Sequence, residues 1–296
     1  MSEPRPRLFL VDGSSYIFRA FFGVPLRFNT QGLPTNAILG FTNMMVDLLR
    51  RYRPEYIAVV LDAGKENFRH RLFAGYKSQR PKLPSALIPQ LPYLRPVLDA
   101  LGLPAIELAD YEADDVIASL CKAFADPERR ITVVSADKDL MQLVGDGVNL
   151  LDAARRRWIG AAEVRQKFGV LPRQVIEVMG LMGDAVDNIP GVRGIGAKTA
   201  MALIQRFYSL ENLFERLDEI ETFELRGAAR LRRLLTEGRE SAFLSRALAT
   251  VKSDLPLTVA LDDLGARGFR LEKLRMLFTE LEFFSLLSIF GREQAA

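Results

Sequence analysis

Three short apolar runs, each closed by an aspartate, constrain the fold of this chain more than any other feature. The runs occupy residues 7–12, 56–62 and 130–137. One aspartate at the end of a strand is usually a turn former or a helix cap, but three at equivalent places favour a functional site. The three residues are Asp12, Asp62 and Asp137.

Helical patterns separate these runs, at residues 36–52, 87–101 and 113–124. Strands that alternate with helices predict an α/β fold with a parallel sheet flanked by helices. Ligands collect at the carboxyl ends of such strands, so we expect the three aspartates to lie together at one edge of the sheet. From about Trp158 the pattern is mainly helical, with one further strand at 257–261, which predicts a C-terminal helical lobe.

Six further acids strengthen the predicted site. Three of them open a helix, where Glu112 and Asp115 share one face at i, i+3 spacing and Asp114 turns partly aside. An acidic first turn is a common cap, but a cap needs one acid and not three. Because the nine carboxylates carry more charge than one Mg²⁺ or Mn²⁺ requires, we expect at least two ions. The nine candidate ligands are Asp12, Asp62, Glu112, Asp114, Asp115, Asp137, Asp139, Asp184 and Asp187.

Composition restricts the kind of metal site and the place of action. The single cysteine, Cys121, and the single histidine, His70, are too few for a zinc site, so any metal must be held by oxygen atoms. No apolar run approaches the roughly 18 residues of a membrane span, and the first residues lack the apolar stretch of a signal peptide. We therefore expect a cytoplasmic protein that does not enter a membrane.

A basic segment with interleaved aromatic residues lies between residues 65 and 82. The chain has a net charge of only +3, so this local concentration of cations is more informative than the total. Cations among aromatic rings are typical of surfaces that neutralise phosphates and stack bases, which makes Arg69 and Tyr76 candidate DNA contacts. The alternative interpretation is a solvated surface helix.

A glycine-rich stretch that leads into a helix is the second candidate nucleic-acid contact. Glycines at a helix start let backbone N–H groups approach a phosphate. A plain turn between helices explains the glycines alone equally well. A lysine on the first turn and an isoleucine between glycines favour a helix-hairpin-helix element, which holds a DNA backbone without reading bases. The candidates are Gly191, Arg193, Gly194, Gly196 and Lys198.

These motifs together resemble the flap-endonuclease family, and in particular the 5′-nuclease domain of bacterial DNA polymerase I, from about residue 7 to residue 290. The resemblance implies a PIN-like sheet with the metal ions at 1–165 and a helical arch or clamp at about 66–95. It also implies a helical DNA-binding lobe at 166–296, whose hairpin lies at about 184–207. The matching segments are residues 10–16, 62–69, 76–81, 112–116, 137–139 and 183–191.

The resemblance also implies a role for each candidate residue. Lys77 and Arg80 match the cations that hold the scissile phosphate, and Arg69 matches a neighbouring phosphate contact. In the family the hairpin often binds a potassium ion through backbone oxygens. The shell of the first divalent ion would comprise Asp12, Asp62, Glu112 and Asp114. The second and outer ions would use Asp115, Asp137, Asp139, Asp184 and Asp187.

The expected activity is that of a metal-dependent 5′-3′ exonuclease and flap endonuclease, a hydrolase that removes 5′ flaps and RNA primers from branched or nicked DNA in replication and repair. We expect a monomer, associated with the nucleoid, that works beside a DNA polymerase. It is either a free-standing nuclease or a domain excised from a polymerase. One rival is a PIN-type RNA nuclease, which would not need the glycine hairpin. Another is a structure-specific DNA-binding protein with weak catalysis, which would lack some of the nine carboxylates.

Overall fold

A six-stranded sheet lies at the centre of the computed structural model, which describes residues 7–222 and 227–293. Its strands are β1 (Arg7–Asp12), β2 (Tyr56–Val60), β3 (Ala105–Ile106), β4 (Arg130–Val134), β5 (Val148–Asp152) and β6 (Arg157–Ile159). Their order is β3-β2-β1-β4-β5-β6. The first five strands are parallel, and β6 pairs antiparallel with β5 at one edge.

Helices connect the strands and follow the sheet. In the described part of the chain they are α1 (Gly13–Gly23), α2 (Asn36–Tyr52), α3 (Phe68–Leu72), α4 (Leu94–Ala100), α5 (Ala113–Ala123), α6 (Ala161–Phe168), α7 (Val175–Met182), α8 (Ala197–Phe207), α9 (Leu210–Glu215), α10 (Ala228–Ala249), α11 (Leu271–Glu280) and α12 (Phe284–Glu293). Short 3-10 helices lie at Ile88–Tyr93, Asp139–Leu143, Pro172–Gln174, Leu217–Thr222 and Leu261–Leu264.

Both faces of β1 are buried, which explains why its sequence is almost continuously apolar. Successive side chains of a strand point to opposite faces. Leu8 and Leu10 enter the apolar cluster that contains α5, α7 and α8, whereas Phe9 and Val11 enter the cluster that contains α1 and α2. All four side chains are fully buried. Helices therefore cover the sheet on both sides, as parallel sheets require.

The parallel sheet and most of the predicted helices are confirmed. α2 occupies the predicted 36–52, and α5 ends one residue before the predicted position 124. The predicted helix at 87–101 is wrong in its first half, which is a 3-10 helix. The reason is that Pro92 lacks the N–H group that an α-helical ladder needs at that position, whereas Pro89 lies in the first turn, where proline is tolerated.

Other differences concern short or irregular segments. β3, β5 and β6 fall outside the predicted runs, and the strand predicted at 257–261 is absent from the described residues, where 251–260 have no regular structure. In the segment 66–95, α3 and a 3-10 helix are joined by non-helical residues at 73–87, so this region is not one continuous helix.

The helices after β6 divide between two places. α7, α8 and α10 pack together beside the hairpin. The last two helices return to the sheet, where Phe278 and Phe283 enter the same cluster as Phe9. None of the helices within 7–222 and 227–293 combines the length and the apolar character needed to cross a bilayer.

Candidate metal centre and nucleic-acid interface

The carboxyl edge of the sheet brings together the aspartates that end the apolar runs. Asp12 ends β1, caps α1 and accepts a hydrogen bond from the Ser135 hydroxyl at 2.8 Å. Ser135 follows β4 and lies two residues before Asp137. Asp62 lies on the exposed rim, where it accepts a hydrogen bond from the Ala113 N–H at 2.8 Å. The strand pattern thus correctly predicts where these side chains meet.

Two neighbouring acids at the start of α5 face different ways. Asp114 lines a small pocket that it shares with Glu112 and with Asp137, whereas Asp115 is fully buried against Arg69. The expectation that Glu112 and Asp115 lie on one side, with Asp114 turned aside, is confirmed, because Nη1 of Arg69 donates to both carboxylates, at 3.2 and 2.7 Å. They meet as the N-cap and N3 residues of α5, where the Glu112 N–H donates to Asp115 at 3.1 Å.

Arg69 serves the fold. It is 2% exposed, and its five N–H groups all donate to acceptors of the protein. Both Asp115 oxygens accept at 2.7 Å, Glu112 accepts at 3.2 Å, and the carbonyl oxygens of Leu248 and Thr250 accept at 2.8 and 3.0 Å. Arg69 therefore has no donor left for a phosphate, and Asp115 has no free oxygen for a metal ion. The structure corrects both expectations.

Three carboxylates of this edge have no direct ion pair within the described residues: Asp12, which is buried, and Asp114 and Asp139, which are half-buried. Burial, followed by repulsion from Asp137 among other acids, raises the pKa of Asp12 and that of Asp139 to about 7. The pKa of Asp114 is also raised well above its ordinary value by burial and then by Asp137. Asp139 has in addition a buried oxygen, Oδ1, that lacks a hydrogen-bond partner. A divalent cation would offset the repulsion between these carboxylates and would give the Asp139 oxygen a partner, so this donor set fits such an ion.

Four other carboxylates at or beside the pocket differ, because each is matched with a cation of the protein. Arg80 lies 2.6 Å from Asp187, and Lys138 lies 2.5 Å from Asp184. Lys77 contacts Glu112 directly, and its ammonium lies 3.6 Å from Asp187. In the described ranges, no three or more His, Cys, Asp or Glu side chains are gathered as a metal site. Four of the acids, Glu112, Asp115, Asp184 and Asp187, are instead paired with cations of the protein.

The predicted catalytic cations lie at the mouth of this pocket. Lys77 and Arg80 both line it, and Arg80 is about half exposed. Burial alone would lower the pKa of Lys77, but Glu112 and Asp187 raise it, so its ammonium stays charged. Tyr76, by contrast, is 3% exposed and donates its hydroxyl to Glu112 at 2.9 Å. The expectation that Tyr76 contacts DNA is corrected, because its ring is packed inside the protein.

A tight hairpin joins α7 to α8. Gly183 and Gly191 have φ of 71° and 61°, and a Cβ on either glycine would come within 2.4 Å of backbone atoms of this turn. Gly191 is also buried, where its N–H donates to the Ser245 hydroxyl at 2.8 Å. Gly191 therefore shapes the hairpin and is not available to DNA, which corrects that expectation.

The loop beyond the hairpin does present an exposed face. Arg193, Gly194, Gly196 and Lys198 are all exposed, whereas Ile195 is buried beneath them. Gly196 is the N-cap of α8 and has no side chain to satisfy the first N–H groups of that helix. A Cβ on Gly196 would meet nothing within 4 Å. Free N–H groups at a positive helix end, beside two cations, form a surface suited to a phosphate.

Sequence reasoning missed two residues that shape this region. Lys138 neutralises Asp184, and its position between two candidate ligands was a usable signal. Asn188 joins the hairpin to the basic segment, but no local pattern indicates a contact with residues more than one hundred positions away.

Two family models match the chain and together span most of it. Residues 7–169 match the 5′-3′ exonuclease N-terminal resolvase-like domain, and residues 170–272 match the 5′-3′ exonuclease C-terminal SAM fold. Among solved structures, the T5 5′-exonuclease with bound zinc ions superposes with a TM-score of 0.66 and 25% identity, over 82% of this chain and 89% of that chain.

Curated relatives are of two lengths. DNA polymerase I of Bacillus subtilis is 40% identical over 98% of this chain, but the match covers 33% of that protein, so the chain spans about a third of this relative. A 5′-3′ exonuclease of Aquifex aeolicus is 36% identical over 95% of this chain and 93% of its own length.

Proposed function

The chain belongs to the 5′-3′ exonuclease family, and from that premise we propose that it is a divalent-metal-dependent, structure-specific 5′ nuclease. It would hydrolyse phosphodiester bonds near the 5′ ends of branched or nicked DNA. The observation that carries the proposal is a pocket in which half-buried carboxylates without a direct ion pair, Asp114 and Asp139, lie beside Lys77 and Arg80. Such a pocket can hold divalent ions at its carboxylates and a phosphate at the adjacent cations.

The carboxylates divide into two groups that would each hold an ion. Asp12 and Asp114 repel each other, and Asp139 is repelled by Asp184 and Asp187. Asp137 interacts with both groups, so it would lie between two ions. Asp62 and Glu112 would lie at the outside of this carboxylate cluster. When bound, such ions activate water and balance the charge on the leaving oxygen. The zinc bound to the T5 5′-exonuclease supports divalent ions, and we propose Mg²⁺ or Mn²⁺ here.

Lys77 and Arg80 would act on the phosphate itself. Both cations at present contact Glu112 or Asp187, and both reach the mouth of the pocket. A phosphate that enters beside them would compete for the same N–H donors. A fixed cation opposes the negative charge that builds on phosphate oxygens in the transition state, because it needs no reorganisation at that moment.

The hairpin would hold the duplex part of the substrate. Backbone N–H groups at Gly196, with Arg193 and Lys198 beside them, suit one phosphate backbone and carry no means of reading a base. A nuclease that grips duplex here and cuts at the pocket would be selective for structure and not for sequence.

The biological substrates follow from the relatives and form part of the proposal. DNA polymerase I of Bacillus subtilis matches this chain over a third of its length, which supports work beside a DNA polymerase. We propose 5′ flaps and RNA primers in replication and repair as substrates. A monomer that acts at the nucleoid, in the cytoplasm, belongs to the same proposal.

A labelled 5′-flap substrate tests the proposal. We expect cleavage near the branch in Mg²⁺, none in EDTA, and recovery on addition of Mn²⁺. Undiminished cleavage in EDTA would contradict the metal dependence. Tight binding without cleavage would favour a DNA-binding protein, and faster cleavage of single-stranded RNA would favour an RNA nuclease.

The duplex contact has its own test in Gly196→Val. The backbone of Gly196 is extended (φ −94°) and open space lies above it, so valine fits the free protein but blocks a phosphate. We expect duplex affinity to fall about tenfold for unrelated sequences alike. Gly160 is the matched control, because it is also an extended N-cap glycine, at the start of α6. A loss confined to one base sequence, or an equal loss in Gly160→Val, would contradict the assignment.

A further inference from the structure

Asn188 of the hairpin clamps the segment that carries Lys77. Its amide nitrogen donates to the carbonyl oxygen of Gly75 at 2.6 Å and to the Ser78 hydroxyl at 3.2 Å. Its Oδ1 accepts a hydrogen bond from Gln79 at 3.0 Å. The Asn188 side chain therefore forms three hydrogen bonds with the stretch 75–79, which has Lys77 at its centre.

The backbone of Lys77 depends on such support. Its φ is 54°, in the left-handed region that is unfavourable for lysine, and its N–H donates to the carbonyl oxygen of Asp187 at 2.9 Å. Conformations of this kind persist where the surrounding structure enforces them. Asp187 and Asn188 are consecutive, so the same part of the hairpin holds Lys77 and the residues on both sides of it.

Local sequence allows the clamp to form. A Cβ on Gly75 would lie 2.7 Å from the Phe73 ring and 3.2 Å from the Asn188 amide nitrogen, so a bare backbone is what lets the amide reach its carbonyl. Asn188 itself has φ of 54°, a conformation that asparagine adopts more readily than most residues.

We propose that Asn188 is a positioning residue, which holds the stretch 75–79 against the hairpin and thereby keeps the Lys77 ammonium over the acidic pocket. The proposal rests on the proposed function and deepens it. The hairpin that carries Asn188 continues into the exposed loop with Arg193 and Gly196. Duplex held by this loop and Lys77 held at the pocket are thus two ends of one hydrogen-bonded unit.

Two substitutions remove the clamp in different ways. Asn188→Gly deletes all three hydrogen bonds without backbone strain, because glycine adopts positive φ freely. Asn188→Asp keeps the shape and the acceptor for Gln79 but places an oxygen against the Gly75 carbonyl. Asp146→Gly is the matched control, since Asp146 also has a left-handed backbone (φ 46°) and is exposed just before the amino end of β5, opposite the pocket.

The rate of a single turnover on a labelled 5′ flap, at saturating enzyme, is the first readout. We expect Asn188→Gly and Asn188→Asp to slow cleavage of bound DNA about tenfold, the value of roughly one net hydrogen bond, with affinity in Ca²⁺ unchanged. Asp146→Gly should cleave at the wild-type rate. An unchanged rate in both Asn188 variants would overturn the proposal.

A double-mutant cycle separates positioning from general support of the fold. If Asn188 acts through Lys77, Asn188→Gly should have no further effect on the rate once Lys77→Met has removed the ammonium. An equal slowing in both backgrounds would overturn the proposal. Failure of the proposed function would look different, because the wild-type chain itself would not cleave the flap.

Protection from trypsin gives a reading that needs no activity. The clamped stretch contains the trypsin site after Lys77, so we expect faster cleavage there in Asn188→Gly than in Asp146→Gly. If Asn188→Gly does not fold, Gln79→Ala removes one of the three hydrogen bonds from an exposed partner and should slow turnover to a smaller extent. Wild-type turnover and wild-type protection in Gln79→Ala would then overturn the proposal.

Discussion

Asp114 and Asp115 are neighbours in the chain, and they represent two kinds of carboxylate, of which Asp114 is half-buried and Asp115 fully buried. Asp115 has its charge balanced inside the protein, by two 2.7 Å hydrogen bonds from Arg69. Asp114 faces other acids, and its pKa is raised by burial and then by Asp137 and Asp12. The protein itself thus balances the charge of Asp115, whereas the charge of Asp114 is left for a ligand to balance. Removing the charge of Asp114 should therefore lower activity and raise stability, whereas removing the charge of Asp115 should lower stability.

The largest effect that we predict follows from neutralising each neighbour in turn. Asp114→Asn should reduce flap cleavage in Mg²⁺ by orders of magnitude but raise the stability of the metal-free protein, because an amide removes a desolvated like charge. Asp115→Asn should lower stability, because it leaves Arg69 buried without its full partner. Single-turnover rates and urea unfolding in EDTA measure the two quantities. Equal destabilisation by both variants would show that the neighbours do not differ in kind.

Removing the internal cation should produce the next largest effect. Arg69→Met leaves Asp115 and part of Glu112 uncompensated in the interior, so we expect a loss of about 3–5 kcal/mol in the free energy of unfolding. Arg71 is the control, since it lies on the same helix and pairs with Asp110 on the surface. Arg71→Met should change stability little, because solvent screens that pair. Similar losses in the two variants would argue against the buried network.

The third prediction concerns the cation that lies between both kinds of carboxylate. Lys77→Met keeps the apolar stem but removes the charge, so single-turnover cleavage should slow by ~100-fold or more, the effect of losing one well-placed donor. Lys198→Met should instead weaken affinity and flatten its salt dependence, without slowing cleavage of bound DNA. If Lys77→Met lost affinity but cleaved bound DNA at the wild-type rate, Lys77 would be only a tether.

The sequence predicts the strand-end aspartates well because their position depends on one local rule. An apolar run buried on both faces of a parallel sheet must end at the edge where ligands bind, and Asp12 and Asp137 follow from that rule alone. A second local rule predicts α2 and α5, because apolar periodicity sustained over several turns favours a helix.

The sequence predicts less well what each charged side chain contacts. Arg69 and Arg71 are two residues apart and chemically identical, yet one is buried and the other exposed. The difference depends on Leu248 and Thr250, whose carbonyl oxygens reach Arg69 from about 180 positions away. Asp115 and Tyr76 are misassigned for the same reason, since their partners come from distant segments.

The smallest predicted effect is the pH dependence of the metal-free protein. Asp12 and Asp139 have pKa values raised to about 7, first by burial. Between about pH 4 and pH 7 the folded protein therefore binds more protons than the unfolded chain, in which aspartate titrates near ~3.9. Stability must then fall as pH rises through this window. In EDTA, we therefore expect the melting temperature to decrease from pH 5 to pH 8.

Divalent ions should reverse that dependence, because they bind the deprotonated carboxylates and stabilise the folded state in proportion to their occupancy. In Ca²⁺ the melting temperature should thus rise over the same pH range. Asp139→Asn should flatten the slope in EDTA, since it removes one of the two raised groups, whereas Asp126→Asn, at an exposed acid beyond the pocket, should leave it unchanged. A melting temperature that rose with pH in EDTA would mean that these carboxylates are already compensated within the protein, as Asp115 is.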